Sequence, residues 1–305
     1  MVIGECMMEI RGDLHAEQLR HGFAGDTYNA GVYAARWTQE LSVSFLTSVG
    51  KDCVSDTMLE AWRQEGVDCS LVLKSDTTIP GVYLIHTDSK GERDFVYWRK
   101  GSAATQLAEL LRCSGGANSL PDVDCIFFSG ISLGILCDRD RGYLLDVLTE
   151  LHRRGATIAY DPNYRAALWG TVEQAREWMT RAYSIADVAL PGLEDQEVLF
   201  GHHQREQVIE QLQELGVGEI VVKCGADGVF AIGRDGETAH QPYIPAPVQV
   251  DSTGAGDSFA GTYLASRLSG SDLSISIRAA SEVAKCVVQH RGAIIPLDVY
   301  RSSFS

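Results

Sequence analysis

The chain has 305 residues, the size of one large α/β domain or two small ones. Hydrophobic residues make up 45% and charged residues 22%, which is enough to bury a core and excludes a disordered tail or a fibrous repeat. The net charge of −15 argues against nucleic acid and anionic membrane as partners. An anionic substrate would have to be met by locally placed Arg, Lys or backbone N–H groups.

The opening Met1-Val-Ile-Gly-Glu-Cys6 reads as a strand starting almost at residue 1. No basic stretch precedes it, so a signal peptide is not expected. No apolar run approaches the ~20 residues of a membrane helix. None of the eight cysteines forms a CxxC pair. Reduced cysteines in a cytoplasmic enzyme are the expectation.

Residues 81–99 are rich in β-branched and aromatic residues around Asp88-Ser-Lys-Gly91, a turn signal, and predict a β-hairpin. Period 2 puts Tyr97 and Arg99 on one face of its second strand and Tyr83 and Ile85 on one face of the first. A lone ribbon is not stable in water. The hairpin should therefore join a small sheet with a strand from the segment after Cys6. That excursion, about residues 8–20 and 81–99, would cover a site, form an oligomer interface, or both.

From residue 120 the pattern alternates. Buried strands are expected at Cys125–Phe128, Thr157–Tyr160, Val188–Leu190, Ile220–Lys223 and Val229–Ile232. Helices are expected at Asp140–Arg153, Val172–Tyr183, Arg205–Leu215, Ala255–Leu268 and Leu273–His290. This is the signature of βαβ units and a mostly parallel sheet. Such sheets bind ligands at the C-terminal ends of their strands. Ser129-Gly130, Asp161-Pro-Asn163 and Gly225-Ala-Asp-Gly228 are the turns at those ends.

The strongest local signal is Asp251-Ser-Thr-Gly-Ala-Gly-Asp257, led in by an extended Val248-Gln-Val250 and followed by a helix. Gly254-Ala-Gly256 then sits at a helix N-terminus, an anion hole suited to phosphate. Asp257, in the first turn, lies where it can accept a proton from an attacking hydroxyl. An N-cap alone would explain one Asp and one Gly, not the whole string. No Walker A loop exists, and the glycine spacing does not fit a dinucleotide fingerprint.

The string Asp251–Asp257 resembles the second signature of the ribokinase-like (PfkB) family of carbohydrate kinases. Ala24-Gly-Asp-Thr-Tyr-Asn-Ala-Gly31 resembles the first, and the similarity spans the chain. Several shorter strings resemble the branch acting on 2-keto-3-deoxygluconate. They include Ile3-Gly-Glu-Cys-Met7, Tyr97-Trp-Arg99, Ser129-Gly-Ile-Ser132, Asn163-Tyr-Arg-Ala-Ala-Leu-Trp169 and His290-Arg-Gly-Ala-Ile-Ile-Pro296.

The resemblance implies one ribokinase-like domain over residues 1–305: a mostly parallel sheet between helices, with a small β-sheet lid. It makes Asp257 the catalytic base and Gly254, Ala255 and Gly256 the anion hole. Gly25, Asp26 and Asn29 would face sugar hydroxyls. Tyr83, Tyr97 and Arg99 on the lid, with Arg165 on the core, would close around a sugar acid. Lys223, Gly225, Asp227 and Gly228 would lie along ATP, and Asn163, Arg165, Gly254 and Gly256 would also bind it. ATP and Mg2+ are implied, a monovalent cation (K+) is admitted, and a homodimer or higher homo-oligomer would form through the lid sheet.

Three departures stand out. The first signature's leading Gly is Ala24; Ser252 replaces the usual Thr; and the magnesium-linked N-x-x-E reads Gly192-Leu-Glu194-Asp195, leaving Asp195 or Glu194 as the acid. Two other readings remain at this point: a kinase for a neutral sugar such as fructose or ribose, and a non-catalytic sugar sensor. A sensor would be expected to have lost the base or the anion hole.

Overall fold

The computed structural model describes residues 1–12, 18–87 and 93–304. The predicted turn Asp88–Gly91 and part of the 8–20 excursion lie outside these residues. A nine-stranded sheet forms the centre. Edge to edge it runs Thr238–Gln241, Val229–Ile232, Glu219–Lys223, Val188–Ala189, Thr157–Asp161, Cys125–Ser129, Val2–Ile3, Val43–Leu46 and Val67–Asp68. The first three are joined antiparallel, and the rest pair in parallel.

The parallel strands are apolar because helices cover both faces. Ile126, Phe128, Ile158 and Tyr160 pack into one layer with Leu144, Leu148, Trp178 and Met179. Their neighbours Cys125, Phe127 and Ala159 point the other way, into a layer with Tyr28, Trp62, Phe259 and Tyr263. Side-chain caps start several helices: Asp52 for Cys53–Gln64, Thr171 for Val172–Tyr183 and Asp272 for Leu273–Val287.

All five predicted strands and all five predicted helices past residue 120 are present, most with ends shifted by a few residues. The sequence reading missed the edge strand Thr238–Gln241 and the short helix Leu193–Phe200. Val248–Val250 belongs to no strand.

Val2–Ile3 has Val43–Leu46 on one side and Cys125–Ser129 on the other. The strand order therefore reverses around it, which opens a crevice at the C-terminal strand ends. Two helices, Asp26–Trp37 and Ala255–Leu268, begin at that crevice and pack on each other. A Cβ on Gly261 would lie 2.0 Å from the Ala30 carbonyl, so only glycine permits this approach. The close crossing fixes the start of one helix against the start of the other.

A second, four-stranded sheet stands beside the crevice, in the order Arg20–Ala24, Met7–Gly12, Val82–Thr87, Arg93–Trp98. The hairpin pairs Tyr83 opposite Tyr97, with the rings stacked at 5.7 Å. As expected, the segment after Cys6 supplies its neighbouring strand, Met7–Gly12. Among the described residues no helix is long and apolar enough to cross a membrane.

Candidate active site

The helix Ala255–Leu268 starts from Gly254, whose φ of 77° lies in the left-handed region that favours glycine. A Cβ there would also meet the Ala293 backbone at 2.7 Å. Asp251 holds the loop by accepting from the N–H groups of Thr253 (2.9 Å) and Gly292 (2.8 Å). The Ala255 N–H turns back to the Ser252 carbonyl at 3.2 Å. The N–H groups of Gly254, Gly256 and Asp257 have no partner among the described residues. The sequence suggested an anion hole of Gly254, Ala255 and Gly256; the N–H groups left open among the described residues are those of Gly254, Gly256 and Asp257.

On one side of this helix start lies a cleft of about 800 Å³. All eight residues expected to face the sugar line it: Gly25, Asp26, Asn29, Tyr83, Tyr97, Arg99, Arg165 and Asp257. Asn29 donates from Nδ2 to Asp257 Oδ2 at 2.8 Å and accepts from the Gly25 N–H at 3.3 Å. Asn163 donates to Asp26 Oδ2 at 2.9 Å. Asp26 Oδ1 is buried and accepts no hydrogen bond among the described residues. It leaves an open acceptor on the wall of the cleft.

Burial pushes the Asp257 carboxyl up from its usual 3.8 to about 7, with the Asp26 charge adding to the rise and the Asn29 amide opposing it. A carboxyl at its ordinary value would be a weak base toward an alcohol. Asp257 is a much stronger one, poised near neutrality.

Two lid residues are already engaged by acids that sequence reasoning did not assign. The Tyr83 hydroxyl donates to the buried Glu9 carboxylate, so this tyrosine offers the cleft its ring. Arg99, expected to meet the sugar acid, pairs through Nη2 with buried Glu5 at 2.5 Å. Arg165 is exposed, and among the described residues its one hydrogen-bond partner is its neighbour's carbonyl, Tyr164 O, at 2.8 Å. Lys100, also missed, lines the same cleft. Glu5 and Glu9 did carry a signal, since an acid inside an apolar run is an unusual thing to bury.

On the other side of the helix start is a groove of about 300 Å³, lined by Lys223, Gly225, Gly228, Tyr243, Ala255, Gly256 and Lys285 among others. At Gly228, with φ 84°, a Cβ would lie 2.1 Å from the Gln241 carbonyl. The side chain of Asp227 is exposed, and its backbone carbonyl accepts from His240 Nε2 at 3.0 Å. Lys223 pairs with Asp161 at 2.6 Å. Asn163, expected near ATP, turns its amide to Asp26 on the sugar side.

The structure separates the two candidate acids. Glu194 is exposed, whereas Asp195 turns inward and accepts from the Tyr164 N–H at 3.0 Å. Burial pushes its carboxyl up, and Asp161 adds to the rise.

A raised carboxyl and open N–H groups at a helix start, between a cleft and a glycine-lined groove, suit transfer of a phosphoryl group to an alcohol. The family model for pfkB carbohydrate kinases matches residues 1–299. The chain belongs to the PfkB family of carbohydrate kinases. It is 38% identical over 300 residues to a 2-dehydro-3-deoxygluconokinase of Escherichia coli (strain K12), covering 97% of this kinase and 96% of that protein. A PfkB protein from Polaromonas sp. JS666 superposes with a TM-score of 0.83 at 26% identity, over 99% of this kinase and 98% of that chain. A putative ribokinase II from E. coli, solved in complex with ATP and Mg2+, shares the fold at a TM-score of 0.79 and 22% identity, over 96% and 93% of the two chains. As a member of this family, the kinase uses ATP as its phosphoryl donor.

Proposed function

We propose that this kinase transfers the γ-phosphoryl group of ATP to the C6 hydroxyl of 2-keto-3-deoxy-D-gluconate, giving 2-keto-3-deoxy-6-phosphogluconate. The observation that carries the reading is a cleft that joins the raised carboxyl of Asp257 to Arg165, Arg99 and Lys100 in a chain of net charge −15. The 38% identity to a 2-dehydro-3-deoxygluconokinase supports it.

In this reading Asp26 and Asn29 orient the sugar, and Asp257 takes the proton of the attacking hydroxyl as its oxygen bonds to phosphorus. The bond to ADP breaks, and the free N–H groups of Gly254, Gly256 and Asp257 stabilise the charge on the transferring group. Magnesium, bound with ATP, would neutralise phosphate charge. Asp195 fits a place in its water shell, because burial, with Asp161 adding to it, raises this carboxyl, and a nearby cation would favour its charged form. Lys223, Gly225 and Gly228 would lie along the nucleotide. The cysteine spacing supports a cytoplasmic enzyme.

The decisive experiment is ADP release coupled to a reporter, run across 2-keto-3-deoxygluconate, 2-ketogluconate, fructose and ribose. The highest kcat/KM is expected for 2-keto-3-deoxygluconate. A neutral sugar outrunning both acids would overturn the reading.

The small sheet would act as a lid, with Tyr97 and Arg99 facing the sugar. Its other face leaves Val96 at 38% and Trp98 at 59% exposure, a surface suited to the same sheet of a second subunit. Light scattering at micromolar concentration should give a dimer or larger, and a strict monomer would rule out this interface.

A further inference from the structure

Glu5 lies where the chain passes from the large sheet, at Val2–Ile3, to the small one, at Met7–Gly12. Its side chain is 1% exposed, and the transfer chemistry does not use it. Oε2 accepts from Arg99 Nε at 2.9 Å and from Arg99 Nη2 at 2.5 Å. Oε1 accepts from Ser102 Oγ at 2.5 Å. Gly81, at the other end of the hairpin, packs on the same carboxylate: a Cβ there would lie 3.1 Å from Oε1. The Glu5 carbonyl abuts Gly25, where a Cβ would lie 2.0 Å away. One residue thus touches both ends of the lid hairpin and the start of the helix that carries Asn29.

A buried carboxylate is costly unless it is paired and hydrogen-bonded. Arg99 is the cation paired with this one, and the pairing dictates how the guanidinium sits. The Nε–Nη2 edge faces Glu5. Nη1 has no partner among the described residues, on a side chain that lines the cleft beside the Tyr97 ring, 5.9 Å from the guanidinium carbon.

We infer that Glu5 is a positioning residue that sets affinity for the sugar acid by holding Arg99 with its Nη1 toward the substrate. The inference rests on the proposed sugar-acid function. It differs from assigning Arg99 alone, because it makes a residue outside substrate contact determine affinity. A guanidinium fixed along one edge loses little rotamer freedom when its other corner takes up an oxygen.

The test is a double-mutant cycle with Glu5→Gln and Arg99→Met, reading KM for sugar and ATP separately from kcat. Glu5→Gln removes the charge that holds the guanidinium and leaves a neutral oxygen against its donors, which loosens its orientation. KM for 2-keto-3-deoxygluconate should rise roughly ten-fold, the size of one oriented charged hydrogen bond. kcat and the KM for ATP should stay within about two-fold. In the Arg99→Met background, Glu5→Gln should change the sugar KM by less than about two-fold. Independent multiplication of the two effects, or a parallel fall in kcat and ATP affinity, would overturn the inference and leave Glu5 a purely structural residue. If Glu5→Gln does not fold, Glu5→Asp carries the same test. It retracts the carboxylate by one methylene, and its smaller KM rise must also vanish beside Arg99→Met. Wild-type enzyme inactive on the acid but active on a neutral sugar would instead sink the proposed function, so the two failures are distinguishable.

Discussion

Asp257→Asn should lower kcat by a factor of roughly 10²–10⁴, the usual worth of a general base, while sugar affinity is largely kept. The asparagine can still accept the hydrogen bond from Asn29 Nδ2, now at 2.8 Å from Asp257, so the cleft keeps its shape. It cannot take a proton. Steady-state kinetics on the folded variant check this, and near-normal turnover would remove Asp257 from the role of base. Wild-type kcat/KM should rise with pH and level off above about 7, where the carboxyl is ionised, and the variant should lack that step.

The same carboxyl affects stability with the opposite sign to most acids. Its folded pKa lies above the unfolded one, so between the usual 3.8 and about 7 the folded state binds more protons. Its contribution to stability therefore falls as pH rises through that window. At pH 8 Asp257→Asn should melt no lower than wild type, a sign that the site holds a costly charge for the sake of catalysis.

Arg165→Ala should reduce kcat/KM for 2-keto-3-deoxygluconate by about 1.5–3 kcal/mol, or roughly 10–150-fold, the scale of a hydrogen bond to a charged group. Arg165 follows the strand Thr157–Asp161 at its C-terminal end, and among the described residues no ion pair joins it to an acid. It is free to take a carboxylate. Fructose, if turned over at all, should lose less than about three-fold. Arg99 is neutralised by Glu5 and Arg165 is exposed, so a neutral sugar strands no buried cation. The acid wins by the contact it gains. Equal losses on acidic and neutral sugars would assign Arg165 to the nucleotide and bring the neutral-sugar reading forward.

The helix Ala255–Leu268 and its glycine turn were legible because their cause is local. A left-handed Gly254, small residues at the helix start and an acid in the first turn are written in consecutive positions. Val172–Tyr183 was legible to the residue for a similar reason, with a Thr171 cap and a regular apolar stripe. Strands buried on both faces betrayed themselves as short apolar runs. Thr238–Gln241 did not, because an edge strand of alternating exposure carries few apolar residues. The choice between Glu194 and Asp195 was also hidden, since neighbouring positions on a helix differ only in the direction they face, and tertiary packing sets that direction.

By itself, the sequence determined the βαβ order, the glycine-rich helix start with an acid in its first turn and the presence of an aromatic hairpin. Each depends on residues near one another in the chain. Only the tertiary structure decided the raised pKa of that acid and the pairing of the cations around it. The carboxyl of Asp257 is raised by burial and by Asp26, which arrives from the far end of the chain. Arg99 meets Glu5 across 94 residues, and Tyr83 meets Glu9 across 74. Burial and charge pairing act through space, and short-range patterns carry no record of which distant acid a given cation will find.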